Sequence, residues 1–338
     1  MLTIRELEQA DYANALRQFY QRTLFHECDW LDSIVRIYRV EICYVGAFEG
    51  EDLVGMIPVL IRRFSGVRVA GSPLPQVATP RLFPLVDEER FPPFLAALRQ
   101  WAKEKGLSHL QVACRDCVHR ECVGWESEIR DTLKVALDKE LEALWGAFNQ
   151  NARRAVRKTI RNGVRLHWRR SRKFIDETYQ AFLHSTYDHQ GIRPNCPIEL
   201  YRELEQRLPR RHWRILTASW RGKDIASVWL LLDEHQCYFW DGASDQSMRR
   251  LQANNLLHWA AIRWSRKRRL AAYDLLGGEA SSSRAGGRQG IGRFKKSLGG
   301  ARSEYVVFVW QRQWMRFALA FYRVYLRLRD RTGLFGGS

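Results

Sequence analysis

The sequence predicts an α/β (α+β) protein built from two similar halves, each with a mixed, largely antiparallel sheet flanked by helices. The chain has 338 residues, about twice a common single-domain length. Hydrophobic residues make up 46% of it, enough to fill a large core. Two segments also recur in the same order in both halves, which is typical of a duplicated domain. Peptide hormones, fibres and disordered chains are excluded.

The first repeat predicts a β-hairpin. Residues 47–57 align with residues 218–229, placing Gly50 opposite Gly222 and Asp52 opposite Asp224 once one residue is inserted. Glycine supplies positive φ and aspartate binds the local backbone, so each copy predicts two strands around a tight turn.

The second repeat predicts a helix that runs into a strand. Amphipathic helices are expected over residues 94–105 and 256–268, each followed by a short strand. We place the boundary between the halves after residue 133. Residues 134–309 then form the second half, and residues 310–338 form a basic amphipathic helix with a tail.

Positive charge is concentrated in the second half. Residues 1–133 carry 16 Lys and Arg against 19 Asp and Glu, a net charge of −3. Residues 134–338 carry 39 against 18, a net charge of +21. A strongly cationic half favours a polyanionic partner such as RNA, a nucleotide phosphate or an anionic membrane.

Short motifs resemble a known family. The segments at residues 25–31, 54–59, 144–164, 273–278 and 290–300 are similar to motifs of the Fem-type peptidyl and aminoacyl transferases, which share a tandem GNAT acetyltransferase-like architecture. The last of these contains Gly-Ile-Gly-Arg-Phe-Lys-Lys and is the strongest match. The resemblance extends from roughly Thr23 to Val309.

The resemblance implies two tandem GNAT-like domains and transfer of an acyl or aminoacyl group from an activated ester or thioester to an amine. In Fem enzymes the donor is aminoacyl-tRNA and the acceptor is a peptidoglycan precursor, whereas other relatives use acyl-CoA. We therefore expect acyl-CoA or aminoacyl-tRNA as co-substrate and no tightly bound cofactor. The expected acceptor is an amine of a cell-envelope precursor or a sugar.

Aminolysis needs a neutral amine and a positive group where negative charge develops, without a nucleophilic side chain. The resemblance places Lys295 at the family's motif lysine, so Lys295 is the candidate for this charge; Lys296 is the alternative. Asp241 and Asp274 stand at predicted strand ends, where α/β sheets present ligands, and are candidates for the base.

Several cations are candidates for binding substrate phosphates. The resemblance assigns this role to Arg193, and Arg36 stands where the family has a first-domain lysine. Arg293 and Lys296 belong to a glycine-rich segment whose backbone can approach an anion closely. Arg250 and Asn254 precede or begin a predicted helix, whose N-terminus attracts phosphate.

Residues 151–173 contain ten basic residues and no acidic one. Arg154, Arg157, Lys158 and Arg161 share one face of a predicted helix, where like charges repel each other unless a polyanion binds. A rival hypothesis is therefore a non-catalytic protein that keeps the fold and binds RNA or a membrane surface.

The apolar stripe that begins at Trp310 and Trp314, with arginines on the other faces, predicts a C-terminal helix that packs on the protein or contacts anionic lipid. Because residues 1–7 include Arg5 and Glu6 and form no apolar segment, we expect a cytoplasmic protein that can rest on the inner face of the membrane.

Seven cysteines are not spaced like a disulfide framework, so reduced thiols are expected. Cys114, Cys117, His119 and Cys122 lie within nine residues, whereas most zinc folds join two separated ligand pairs. We expect no metal site.

Overall fold

The computed structural model describes residues 2–64, 66–80, 82–115, 121–190, 194, 196–277 and 288–315. Their strands form one mixed sheet that runs through both halves. The strands are β1 (Thr3–Leu7), β2 (Glu41–Glu49), β3 (Asp52–Phe64), β4 (Val67–Ser72), β5 (Leu85–Val86), β6 (His109–Arg115), β7 (Glu126–Ala136), β8 (Arg165–Arg169), β9 (Trp213–Trp220), β10 (Lys223–Leu232), β11 (Gln236–Ser244), β12 (Ala272–Asp274) and β13 (Ala301–Gln311).

The strand order is symmetric about the centre of the sheet. It runs β1-β2-β3-β4-β6-β13-β7-β12-β11-β10-β9-β8, and β5 pairs with β3. In each half, four neighbouring strands are antiparallel, and the last of them pairs in parallel with a fifth strand. These parallel pairs are β4 with β6 and β11 with β12. The predicted fold class and duplication are confirmed.

The two halves exchange their last strands. Strand β7 follows β6 in the chain but pairs with β12, whereas β13 follows β12 in the chain and pairs with β6. The two exchanged strands pair with each other from Ala301 opposite Lys134 to Val309 opposite Glu126. The predicted boundaries after residues 133 and 309 fall within β7 and β13, and that division stays a prediction.

Both predicted hairpins form, and their register corrects the alignment between them. Glu49 pairs with Asp52, and Trp220 pairs with Lys223, so both turns have two residues and no insertion is needed. Gly50 occupies the first turn position and Gly222 the second. The alignment of the two sequences matched Gly50 with Gly222, whereas the backbone pairing shows that these glycines occupy different positions of their turns.

Helices cover both faces of the sheet. The helices are α1 (Gln9–Leu16), α2 (Cys28–Tyr38), α3 (Phe91–Glu104), α4 (Leu141–Ala147), α5 (Gln150–Arg161), α6 (Gln180–Gln190), α7 (Ile198–Arg207), α8 (Ala253–Lys267) and α9 (Arg288–Ser297). A π-helical segment (Phe174–Tyr179) precedes α6, and a 3-10 turn (Gln246–Leu251) precedes α8. The helices predicted before the two short strands are α3 and α8.

One hydrophobic core is shared by the two halves. It joins residues of α1 and α2 in the first half to residues of α6, α7 and β9–β11 in the second. At its centre Trp30 meets Phe25 and Trp240 edge to face, with ring centroids 5.0 and 5.1 Å apart. Separate cores under α3 and under α4, α5 and α8 fill the opposite face.

The predicted basic helix is α5. The Asn149 side chain caps its N-terminus by accepting the Ala152 backbone N–H at 2.8 Å. Its inward side consists of small or apolar residues, including Ala155 and Val156, while the face predicted from the arginine spacing is exposed.

The prediction of a helix from residue 310 is wrong at its start. Trp310 lies in β13 opposite Leu110, and only 7% of its surface is exposed. The spacing of its apolar neighbours is compatible with a helix, but sheet pairing and burial determine the conformation of Trp310. A helix begins at Gln313, and residues 316–338 lie outside the described residues.

The shared core predicts that both halves unfold together. Trp30→Ala removes a fully buried ring at the junction of the halves, and Leu257→Ala creates a cavity in the second-half core. We expect losses of about 3–5 and 2–5 kcal/mol in the free energy of unfolding. Guanidinium titrations followed by circular dichroism and by tryptophan fluorescence should give one coincident transition for each protein. Two separate transitions would contradict this prediction.

Candidate active site

A cavity of about 880 Å³ lies in the second half. Its walls come from β10, β11, α6, the 3-10 turn, the first residues of α8, and α9. Predicted site residues Asp241, Asn254 and Lys295 all line it, although they are distant in sequence.

The cavity exists because two parallel strands separate. Strands β11 and β12 pair only from Gln236–Ala272 to Tyr238–Asp274, and β11 then continues to Ser244 with β10 as its only partner strand. A bulge also leaves Trp240 without a partner in the β10–β11 ladder. Bulges bend a strand and increase its twist, which widens the gap beside β12.

The N-terminus of α8 lines the cavity. Gln252 precedes the helix with a φ of 55°, and its side chain makes no capping hydrogen bond. Ala253, Asn254 and Asn255 follow along the cavity wall, and Arg249 lines it from the 3-10 turn. Unpaired N–H groups and the helix dipole attract anions at such a position.

Lys295 lines the cavity from α9, beside the α8 residue His258. Its Nζ donates to the Leu276 carbonyl oxygen and lies 3.4 Å from the Gly277 carbonyl oxygen. The same atom lies 6.0 Å from the centroid of the Phe239 ring. These contacts hold the ammonium group where the chain leaves β12.

His258, which the sequence analysis did not identify, lies in the cavity wall near Lys295. Its Nδ1 is 2.9 Å from the Tyr273 hydroxyl, and the rings of Phe239 and Phe294 pack against it. Burial, with a smaller contribution from the Lys295 charge, lowers the pKa of His258 to about 3. The imidazole is therefore neutral at physiological pH. No sequence pattern indicated this position, which resembles an ordinary core residue of α8.

Asp241 is held by three tyrosine hydroxyl groups. Its Oδ2 accepts from Tyr179 at 3.0 Å and from Tyr201 at 2.5 Å, and its Oδ1 accepts from Tyr187 at 3.3 Å. Burial raises the pKa of Asp241 above its ordinary value, while hydrogen bonds from the tyrosines and from Gly242 oppose that rise. The tyrosines come from the π-helical segment, α6 and α7, so this carboxyl group ties three elements to β11.

Asp274 does not line the cavity. It is fully buried, and its Oδ1 accepts from the Thr132 hydroxyl at 2.7 Å and from the Leu276 backbone N–H at 2.9 Å. These bonds fix the segment after β12, which in turn holds Lys295.

Three other predicted residues also lie away from the cavity lining. Arg36 forms an ion pair with Glu203 of α7 at 3.2 Å. Arg293 and Lys296 are exposed on α9, and neither lines the cavity. Arg193 lies outside the described residues.

The remaining predicted cations gather around α5. Lys158 and Arg250 line a cleft of about 800 Å³. Arg154 and Arg157 line a smaller one of about 350 Å³ beside Trp145. Of the predicted substrate-binding residues, Asn254 therefore lines the cavity, and four cations line two separate clefts: Arg154, Arg157, Lys158 and Arg250.

Neither metal clusters nor membrane spans occur in the described part of the chain. It contains no group of three His, Cys, Asp or Glu residues placed to hold a metal ion, and Cys117 and His119 lie outside it. Within the same residues, every helix is too short or too polar to cross a bilayer. Six cysteines are described, and all are free thiols.

The second half of the chain is similar to a known domain family. Residues 146–296 match the acetyltransferase (GNAT) domain family. This range contains α5, the 3-10 turn, α8 and most of α9, and it includes every residue that lines the cavity. No curated protein matches the sequence.

Solved structures match almost the whole chain. FemX has a TM-score of 0.68 with 11% identity, covering 94% of this chain and 99% of its own. The C-terminal domain of a putative lysylphosphatidylglycerol synthetase from Agrobacterium fabrum has a TM-score of 0.61 with 14% identity, covering 94% and 97%. A tandem GNAT protein from the clavulanic acid biosynthesis pathway has a TM-score of 0.53 with 12% identity, covering 92% and 98%.

These similarities confirm the resemblance seen in the sequence at the level of the fold. The symmetric strand order shows the duplication. The match to the family model lies in the half that contains the cavity. The chain therefore has the fold of the Fem-type tandem GNAT proteins, and residues 146–296 of its second half are similar to the acetyltransferase (GNAT) domain family.

Proposed function

We propose that the protein transfers an acyl or aminoacyl group from an activated donor to an amine. The observation that supports this most directly is the cavity within the GNAT-like region, which both Lys295 and the N-terminus of α8 line. The donor is acyl-CoA or aminoacyl-tRNA, and the acceptor is an amine of a cell-envelope precursor or a sugar. The names of FemX and of a lysylphosphatidylglycerol synthetase among the matched structures support an envelope acceptor.

The reaction joins the two substrates directly. A neutral amine attacks the donor carbonyl carbon and forms a C–N bond. The bond from that carbon to the ester oxygen or thioester sulfur then breaks. The proton lost by the nitrogen ends on the departing oxygen or sulfur. No covalent enzyme intermediate is required, so a cavity that holds both substrates is sufficient.

Lys295 supplies the charge for this step. Negative charge grows on the carbonyl oxygen as the tetrahedral intermediate forms, and a fixed ammonium group in a partly desolvated cavity stabilises it. The carbonyl oxygens of Leu276 and Gly277 orient the ammonium beforehand. Little reorganisation is then needed during the reaction.

The donor's phosphate binds at the N-terminus of α8 in this proposal. Arg249 and Asn254 line the cavity there, together with the first residues of the helix. Together they offer one formal positive charge, the helix dipole and several hydrogen-bond donors, which suits a phosphate diester or pyrophosphate.

Asp241 acts in this proposal as a positioning residue. Its two oxygens are engaged by three hydroxyl groups, and this leaves it poorly suited to accept a further proton from an amine. Asp274 holds the segment that orients Lys295. The neutral imidazole of His258 shields the cavity floor beneath Lys295.

The reaction class is tested by offering both donors to the purified protein. Acetyl-CoA with thiol detection, and bulk tRNA charged with radiolabelled amino acids, are each incubated with an extract of envelope precursors. We expect acceptor-dependent release of free thiol or of deacylated tRNA, and a product amide visible by mass spectrometry. If RNA binds but neither donor is consumed with any amine, the non-catalytic alternative replaces this proposal.

Removing the charge of Lys295 should slow transfer. We expect Lys295→Ala to lower kcat by about 10²–10³-fold, the usual effect of losing one oxyanion donor, with a smaller change in KM. Lys296→Ala, one position along on the exposed side of α9, should change kcat by far less. Steady-state kinetics with the responsive donor measure both. Equal effects of the two substitutions would remove Lys295 from its assigned role.

The environment of Asp241 predicts a pH dependence of stability. A carboxyl group whose folded pKa is raised stabilises the fold below its unfolded pKa of 3.8, and this stability is lost as pH rises through the folded value. Asp241→Asn keeps an oxygen for the tyrosines and cannot ionise. The free energy of unfolding of the wild type should therefore fall relative to Asp241→Asn as pH rises from about 4.

Urea titrations of both proteins between acidic and neutral pH measure that difference, and other titrating groups cancel in it. The difference should level off once pH exceeds the folded pKa of Asp241. A wild type that gains stability relative to Asp241→Asn over this range would show that the tyrosines lower the pKa overall.

A further inference from the structure

The larger cationic cleft adjoins the reaction cavity across one turn of backbone. Arg249 of the 3-10 turn lines the cavity, whereas the next residue, Arg250, lines the cleft. The turn is fixed to α5, because the Thr159 hydroxyl donates to the Leu251 carbonyl oxygen at 2.7 Å. A long ligand can therefore occupy both spaces by crossing this turn.

Four cations converge on the cleft without a carboxylate. Lys158, Arg165, Arg221 and Arg250 line it, and none of the lining residues is acidic. In the described portion of the chain, none of these four forms an ion pair. Their mutual repulsion is unfavourable until an anion enters.

Some cations elsewhere in the same half are paired with carboxylates. Arg169 contacts Asp224 at 2.8 Å, and Arg266 contacts Glu140 at 2.9 Å. Acidic residues are therefore available nearby and are placed outside the cleft. A ligand with several anionic oxygens, such as a phosphate, matches an arginine-rich cleft of this kind.

A flat surface forms one wall of the cleft. The Trp220 Nε1 donates to the Asn162 carbonyl oxygen at 2.9 Å, which fixes the orientation of the indole. The Arg221 guanidinium carbon lies 4.4 Å from the ring centroid. Nucleobases stack on aromatic rings and on guanidinium groups, so this wall suits a base beside a phosphate.

We propose that this cleft is a nucleotide subsite, in which Lys158, Arg165 and Arg250 bind phosphate oxygens and the Trp220–Arg221 wall contacts a base. The inference rests on the proposed function, because it assigns the subsite to the part of the acyl donor remote from the reacting carbonyl. Two donors share this chemistry: the phosphorylated adenosine of CoA and a nucleotide of tRNA. In either case the acyl-bearing end crosses the turn at Arg249 into the cavity.

The test compares two double variants of equal charge. Lys158→Ala with Arg250→Ala removes two phosphate ligands, and Arg263→Ala with Lys267→Ala removes two exposed charges from α8 outside the cleft. Thermal unfolding first establishes that both variants fold. Dissociation constants are then measured for CoA by calorimetry and for a short single-stranded RNA ending in CCA by fluorescence anisotropy, at two salt concentrations.

We expect the cleft variant to bind one of the two ligands about tenfold or more weakly, and the control variant to stay near the wild type. Loss of RNA affinity with a shallower salt dependence identifies tRNA as the source, and loss of CoA affinity identifies CoA. Equal effects of the two variants overturn the proposal. Co-sedimentation with phosphatidylglycerol vesicles is measured alongside, and a loss confined to the vesicles also overturns the proposal, because it would indicate a membrane surface.

Binding and transfer are measured separately, so the two proposals can fail independently. Lys295→Ala should retain the cleft affinity while losing transfer. If the wild type consumes no donor and the cleft variant still loses nucleotide affinity, the subsite stands and the proposed reaction does not.

Discussion

Backbone pairing between the exchanged strands β7 and β13 is the constraint on which the rest of the structure depends. Each strand completes the sheet of the half that does not immediately precede it in the chain, so neither half has a full set of hydrogen-bonded strands on its own. Unpaired strand edges in a core are costly, which makes the two halves one folding unit. The shared core then fixes α6 and α7 against α2 and gives the tyrosines around Asp241 their positions. The geometry of the cavity is thus a consequence of the exchange.

The duplicated plan does not give two equivalent sites. In the second half, β11 and β12 separate and leave the cavity open. In the first half, the chain after β4 folds back over the corresponding position. A Cβ on Gly71 would lie 2.5 Å from the Pro73 carbonyl oxygen, and that oxygen also accepts from the Gln111 amide at 3.0 Å. The polypeptide itself therefore bridges β4 and β6 at this position.

Local patterns in the sequence were sufficient for the architecture and insufficient for the site. The hairpins and the helix-to-strand units follow from turn chemistry and periodicity, which act over a few residues, and α5 follows from its cap and its apolar side. The apolar spacing around Trp310 predicts a helix, but its partner in the sheet, Leu110, is 200 residues away and leaves no local signal. Asp274 resembled a catalytic carboxylate at a strand end, but its partner Thr132 comes from the exchanged strand. His258 and the three tyrosines acquire their environment only through tertiary packing, so no spacing rule could select them.

The stability of α5 does not require its cations. The helix is held by the Asn149 cap, by the buried side that contains Ala155 and Val156, and by the bonds from Thr159 to the backbone before α8. Its exposed arginines and Lys158 add repulsion along one face, and polar neutral residues there would fold at least as well. Several acidic residues of this half form ion pairs away from α5, as in Arg169–Asp224. A surface that costs folding energy and lies one turn from the cavity is therefore not explained by the stability of the fold, and the proposed nucleotide subsite accounts for it through the phosphate groups that it would neutralise.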